Sequence, residues 1–131
     1  MYTVKDFKVG DYVYIEVTGN AARDLPDDID SRIKSTTVTK IGKKYVTAKI
    51  GEWTTVQFEE TNCNYGGGLR QHTEGCVDYI LFKTKQDIYD RHEANVILNE
   101  LYRVFGQHSG YHIPIDKLRE IQAIVKQYEK D

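Results

Sequence analysis

The sequence predicts an α+β fold in which an N-terminal antiparallel β-sheet curls into a small barrel and two helices follow. Three observations support this fold: about five short runs rich in β-branched and aromatic residues precede residue 83, a long helical pattern follows, and a shorter one ends the chain. With 131 residues the chain is long enough to bury a core. We expect a single domain over 1–131, with a β-sheet part at 1–83 and a helical, dimerising part at 84–131.

Residues 7–18 are predicted to form a turn at Gly10–Asp11 and then the first strand, where Val13, Ile15 and Val17 alternate with more polar side chains. This period of two is typical of a half-buried strand. The V-G-D-x-V opening around Gly10 is found in many SH3-like barrels, which concerns the fold alone. A hairpin at 37–50 and runs at 53–58 and 77–82 supply the other predicted strands, enough for an SH3-like barrel.

The longest predicted helix spans residues 85–105. Thr84 and Asp87 have the spacing of a capping box, in which side chains satisfy the first backbone N–H groups. Apolar residues recur at three- and four-residue steps, so we expect them to form a core face: Ala94, Ile97, Leu98, Leu101, Val104 and Phe105.

A second helix is predicted to begin near Pro114, because proline is favoured in a first turn. Its narrow apolar seam suits packing on the long helix or on a second copy of the chain. The long helix already has an apolar face of its own, so we expect a homodimer or higher homo-oligomer. The seam consists of Leu118, Ile121, Val125 and Tyr128.

Another face of the long helix carries an unusual row of polar residues. Asparagine is a poor helix former, and a solvated face more often alternates Glu with Lys or Arg. A surface that donates hydrogen bonds to an anion and an ordinary solvent-exposed face explain the row about equally well. The row falls on every fourth residue, with His92 beside it: Arg91, Asn95, Asn99 and Arg103.

Two further segments are candidates for ligand contact. In the turn Gly19–Arg23, small residues leave backbone N–H groups accessible beside Asn20 and Arg23, which suits phosphate, although an ordinary turn is the simpler interpretation. The glycine run 66–68 predicts a mobile connection or a lid. Arg70 and His72, which follow it, could close over a ligand or could be plain loop residues.

Charge and motifs exclude several classes of function. A net charge of −2, from 18 basic and 20 acidic residues, disfavours a general binder of duplex nucleic acid. The histidines and the two cysteines lack metal-ligand spacing, so we expect no metal and no cofactor, and Cys63 and Cys76 are expected to be free thiols. No catalytic motif is present, and we expect no enzyme. The N-terminus carries no secretion pattern, which predicts the cytosol.

The V-G-D-x-V strand, the G-N-A-A-R turn, the T-V-T-K-I-G-K-K-Y-V-T hairpin and the two C-terminal helices together resemble the phage anti-Thoeris sponge family. The resemblance implies a homodimer in the cytoplasm of the infected bacterial host. It implies that a TIR-derived cyclic ADP-ribose isomer is held intact between the sheet of one copy and a helix of its neighbour, which blocks Thoeris immunity. Some members hold a cyclic trinucleotide at a second, arginine-lined site. Here the loop between the helices holds His108 and His112 and no arginine, which argues against that site.

The chemistry of that ligand assigns roles to the candidates. Guanidinium groups suit a pyrophosphate, so its predicted ligands are Arg23, Arg91 and Arg103. Amides suit ribose hydroxyls and the adenine edge, so the predicted contacts for these groups are Asn20, Asn95 and Asn99. Phe82, at the end of a strand, is the first candidate to stack on adenine, and Tyr102 and Tyr89 are second choices. The alternative to a sponge is an SH3-like barrel adaptor that binds a protein or nucleic-acid partner.

Overall fold

The computed structural model describes residues 2–61, 67–106 and 112–128, and it confirms the α+β prediction. A closed, six-stranded antiparallel barrel precedes two helices. By its internal contacts the chain divides into two compact units, Met1–Ala94 and Asn95–Asp131, so the first turns of the long helix belong with the barrel. The elements are β1 Tyr12–Val17, β2 Ile33–Ile41, β3 Tyr45–Lys49, β4 Thr55–Glu59, β5 Leu69–Gln71, β6 Tyr79–Phe82, α1 Lys85–Phe105 and α2 Ile115–Lys126.

The barrel closes because β1 pairs with β2 on one side and with β6 on the other. The period-two pattern of β1 is confirmed, since Val13, Ile15 and Val17 are buried. Val13 and Ile15 meet apolar side chains from every other strand in the barrel interior. Val4 and Phe7 add to this core from the N-terminal segment, whose short 3₁₀ turn is held by a hydrogen bond from the Thr3 N–H to the Asp6 carboxylate at 2.7 Å. That bond lowers the pKa of Asp6.

The sequence predicted about five strands, and β5 is the sixth. It is only three residues long and carries one apolar residue, Leu69, so neither its length nor its pattern distinguishes it from a loop. Tertiary pairing makes it a strand, because it fills the gap between β4 and β6 and closes the barrel.

Gly68, the last residue of the glycine run, is packed rather than free. A Cβ at this position would lie 2.7 Å from the Ile80 side chain and 2.9 Å from the Phe82 ring. The carbonyl of Gly67 also accepts a hydrogen bond from the N–H of Tyr2 at 3.0 Å. These two glycines therefore form part of the barrel wall, which corrects the lid interpretation for them; Gly66 lies outside the described residues.

We expect Gly68→Ala to lower the free energy of unfolding by about 1–3 kcal/mol, because the added methyl group overpacks a tight contact. Urea denaturation followed by circular dichroism measures this. Gly75→Ala is the matched control, since the nearest atom to its Cβ would lie at an ordinary 3.8 Å. Equal stability of the two variants would contradict the close approach at Gly68.

The predicted bounds of α1 are confirmed, and the N–H of Asp87 donates to the Thr84 hydroxyl at 3.1 Å. Within the first unit, Ile88 is buried against Ile80 and Phe82 on the outer face of the barrel. The expected core face farther along α1 is wrong for the single chain. No described residue from Asn95 onward is buried, and α2 also has none.

Candidate functional site

A closed ion-pair network joins β1 to the first turns of α1. Glu16 points to the outer face of the barrel, yet its side chain is only 3% exposed. One carboxylate oxygen accepts a hydrogen bond from Arg91 Nη1 at 2.8 Å, and the other lies 2.7 Å from His92 Nε2. Arg91 thus has a carboxylate partner inside the protein, which weakens its predicted role as a pyrophosphate ligand.

Phe82 does not present a ring to solvent. The β1–β6 register places it opposite Tyr14 on the outer barrel face, where Ile80 and Ile88 enclose it. It is fully buried, so neither ring face is free for adenine. Its position at the end of a strand suggested exposure, but α1 covers that end, and this corrects the stacking assignment.

The turn that carries Asn20 and Arg23 already binds a carboxylate of its own chain. The N–H of Ala21 donates to Asp78 Oδ1 at 3.2 Å. Asp78 also accepts the Thr18 N–H on its backbone carbonyl at 2.7 Å. The predicted phosphate corner is therefore filled by Asp78, whose negative charge disfavours a phosphate there. Asn20 and Arg23 themselves are exposed.

The remaining predicted ligands belong to the second unit. Asn95, Asn99 and Arg103 are all exposed on α1. They form no hydrogen bond or ion pair within the described part of the chain. The structure thus brings Arg91 to Glu16 in the first unit and leaves these three side chains available to a ligand.

Other candidates have partners within the barrel unit. Tyr89 donates its hydroxyl to Asp30, and this hydrogen bond raises the pKa of Tyr89. His72 lies 3.0 Å from the carboxylate of Glu59 at the end of β4, so its side chain contacts the barrel and does not form part of a lid. Arg70 lies 3.8 Å from the same carboxylate and donates to two backbone carbonyls.

The remaining candidates have no such partner in the described part of the chain or lie outside it. Tyr102 is exposed to solvent, and Cys76 is an exposed free thiol. Cys63 and His108 lie outside the described residues.

Comparison with protein families places the chain. The family model of the phage ProQ C-terminal-like domain matches residues 1–130. The chain belongs to this family. No curated protein and no solved structure matches it. The phage association expected from the resemblance is therefore confirmed at the level of the family.

Within residues 2–61, 67–106 and 112–128, this phage ProQ C-terminal-like domain contains no cluster of three or more His, Cys, Asp or Glu residues that could hold a metal ion. This part of the chain also contains no helix long and apolar enough to span a membrane.

Two surfaces of this family member were not singled out as ligand sites by the sequence patterns. One is the exposed apolar side of the helices in the second unit, which the sequence predicted as a core face on α1 and as a packing or dimerisation seam on α2. The other is a cleft of about 220 Å³ on the barrel, which Lys34 and Lys49 help to line. The sequence signal for the second surface was Trp53 itself, the single tryptophan of the chain, which follows a turn signal at Gly51.

Proposed function

We propose that this phage ProQ C-terminal-like domain is a non-enzymatic adaptor, in which an SH3-like barrel binds a partner and the helical unit docks on a second copy of the chain. One observation carries the proposal: both helices of the second unit leave their apolar side chains in water. Large apolar side chains that are exposed along one helix face mark an interaction site more often than a free surface.

Four of the exposed apolar residues of α1 share one face of the helix. Ile97, Leu101 and Phe105 recur at four-residue steps, and each is more than two-fifths exposed. Leu98 extends the same face. Removal of apolar surface from water is favourable by about 25 cal/mol for each Å², so this face is stabilised by any complementary apolar cover.

A second copy is the occupant that the surface itself favours. In a two-fold dimer the same patch faces itself, so it has to be self-complementary. The seam of α2, from Leu118 to Val125, is apolar, and charges of both signs flank it. Two of these charged residues, Lys117 and Glu120, form an ion pair with an N–O distance of 3.5 Å. A seam with mixed charges at its edges can meet a copy of itself without like-charge repulsion.

The mass of the full chain in solution tests this part of the proposal. We expect multi-angle light scattering behind size exclusion to give twice the chain mass of 15.2 kDa at micromolar concentration. A mass that stays at one chain under these conditions would contradict self-association.

Sequestration of a cyclic ADP-ribose isomer is the second candidate function, and a specific observation favours it. Asn95, Asn99 and Arg103 remain exposed and unpaired in the described part of the chain. They offer two amides and a guanidinium, which suit ribose hydroxyls and a pyrophosphate. The contributions first assigned to Phe82 and Arg91 would have to come from elsewhere, and Tyr102 is the exposed ring on the same helix.

Calorimetry against TIR-produced cyclic ADP-ribose isomers, followed by heating and chromatography, separates the candidates. A sponge binds and returns the ligand unchanged, an enzyme returns a product, and an adaptor gives no heat with any isomer. For a sponge we expect Arg103→Ala to abolish capture without loss of folding, because the guanidinium has no structural partner in the described chain. Lys126→Ala, which removes an exposed cation from α2, is the charge-matched control.

A further inference from the structure

The cleft on the barrel arises where β2 extends past the end of β3. The β2–β3 pairing runs from Ile41 to Val38 only, whereas β2 begins at Ile33. Residues 33–36 pair with β1 along one edge, and their other edge is not paired with β3. A hydrogen bond from the Thr36 hydroxyl to the Lys49 carbonyl, at 2.7 Å, closes the inner end of the opening. The cleft is lined by Lys34, Ser35, Thr36, Lys49, Ile50 and Gly51.

The chemistry of this lining is cationic and hydrogen-bonding. Its residues include two lysines, Ser35 and Thr36, and no carboxylate. The Thr36 hydroxyl already donates to the Lys49 carbonyl, so the Ser35 hydroxyl is the one left to donate to a ligand. Neither lysine forms an ion pair within the described part of the chain. On a protein with a net charge of −2, a cleft whose charged groups are all positive is a local departure from the average. Ammonium groups beside hydroxyls are the contacts that proteins commonly make to phosphate.

An exposed aromatic ring stands in the turn that borders this cleft. The turn is closed by a hydrogen bond from the Ile50 N–H to the Thr54 carbonyl at 3.0 Å, and it carries Trp53 two residues after Gly51. Trp53 is 91% exposed, which is unusual for the largest apolar side chain. Its indole packs on no other aromatic ring within the described residues. Glu52 is exposed in the same turn and does not line the cleft.

We propose that this cleft binds single-stranded nucleic acid, with Lys34 and Lys49 on the phosphates and Trp53 stacked on a base. A cationic groove beside a free aromatic ring is the combination by which proteins bind single strands. A duplex is disfavoured because its bases are already stacked and because the chain lacks the basic excess for gripping two strands. The inference deepens the adaptor function by naming the partner of the barrel, and it does not require self-association.

The test uses the full chain, whose single tryptophan is the probe. We expect an oligonucleotide of about 12 thymidines or uridines to quench the fluorescence of Trp53 saturably at low salt. A duplex of the same length should quench far less. Absence of binding at low salt, or equal binding of the duplex, would overturn the proposal.

Variants locate the site. We expect Lys34→Ala/Lys49→Ala to reduce the slope of log K against log salt by about 1.4, since each phosphate contact to a single strand contributes about 0.7. Trp53→Ala should weaken binding by about tenfold, measured by the anisotropy of a labelled oligonucleotide. Both variants alter exposed side chains, so we expect circular dichroism to show that both remain folded.

Lys43→Ala/Lys44→Ala is the matched control, because it removes two exposed lysines from the opposite end of the same hairpin and changes the net charge equally. We expect its affinity to remain near that of the wild type. Equal losses in the two double variants would show attraction to the overall charge and would overturn the site. Equally effective competition by a poly-glutamate peptide would overturn the assignment to nucleic acid. The light-scattering mass reports separately on self-association, so a failure of the nucleic-acid site can be distinguished from a failure of the proposed dimer.

Discussion

Arg91→Ala is expected to lower the free energy of unfolding by about 3 kcal/mol, the largest effect on folding stability of any single substitution proposed for this protein. The substitution leaves the carboxylate of Glu16, which is 3% exposed, without its guanidinium partner. His92 still contacts the other oxygen, which places the effect at the lower end of the range for a broken buried pair. Urea denaturation of the purified chain, followed by circular dichroism, measures it.

Two further variants make the result specific. Arg103→Ala removes the same side chain from an exposed position on the same helix, and we expect a change of at most about 0.5 kcal/mol. Glu16→Leu/Arg91→Met replaces the pair by apolar groups, and its stability should lie within about 1 kcal/mol of the wild type. If Arg91→Ala proved as stable as Arg103→Ala, the Glu16–Arg91 pair would be absent in solution. The difference also decides how binding data are interpreted, because loss of ligand in Arg91→Ala would not distinguish a contact from unfolding.

The second large effect concerns assembly. We expect Leu101→Asp to convert the proposed dimer to a monomer, because it places a charge at the centre of the apolar face of α1, twice in each dimer. A central truncation at an interface costs about 2 kcal/mol or more, so two such sites weaken association by about a thousandfold. Sedimentation equilibrium over a range of concentrations measures this change.

Val96→Asp is the matched control for assembly. Val96 is 58% exposed against 46% for Leu101, and the substitution is identical, but Val96 lies on a different side of the helix. We expect Val96→Asp to keep the wild-type mass. Identical masses for both variants and the wild type would show that this face is not the interface. Circular dichroism distinguishes a folded monomer from an unfolded chain.

Local patterns were enough to predict most of the fold. The alternation at Val13, Ile15 and Val17 predicted β1, and the Thr84–Asp87 spacing predicted the start of α1. Both signals depend on residues within a few positions of one another, which is why they can be read without the rest of the chain. The strand β5 was missed because its three residues become a strand only through pairing with β4 and β6.

The candidate site was less predictable, because its members depend on partners far away in the sequence. Spacing identified Arg91, Asn95, Asn99 and Arg103 as one row, but the row is split by Glu16, which lies 75 residues before Arg91 and neutralises it. Phe82 was expected at a surface, and Ile88 of the next element buries it. Local spacing carries no information about which distant group arrives at a given face.

The sequence by itself determined the order of five of the six strands and of both helices, the apolar face of each helix and the absence of a basic excess, since each follows from residue type and short-range period. Only the tertiary structure decided which of those faces are covered within one chain. Closure of the barrel brings α1 onto the outer face of β1 and β6, so Glu16 and Phe82 are enclosed. It also leaves the first residues of β2 without pairing to β3, and Lys34 and Lys49 line the resulting cleft. Burial is set by long-range pairing, and therefore the tertiary structure determined which side chains remain free to bind.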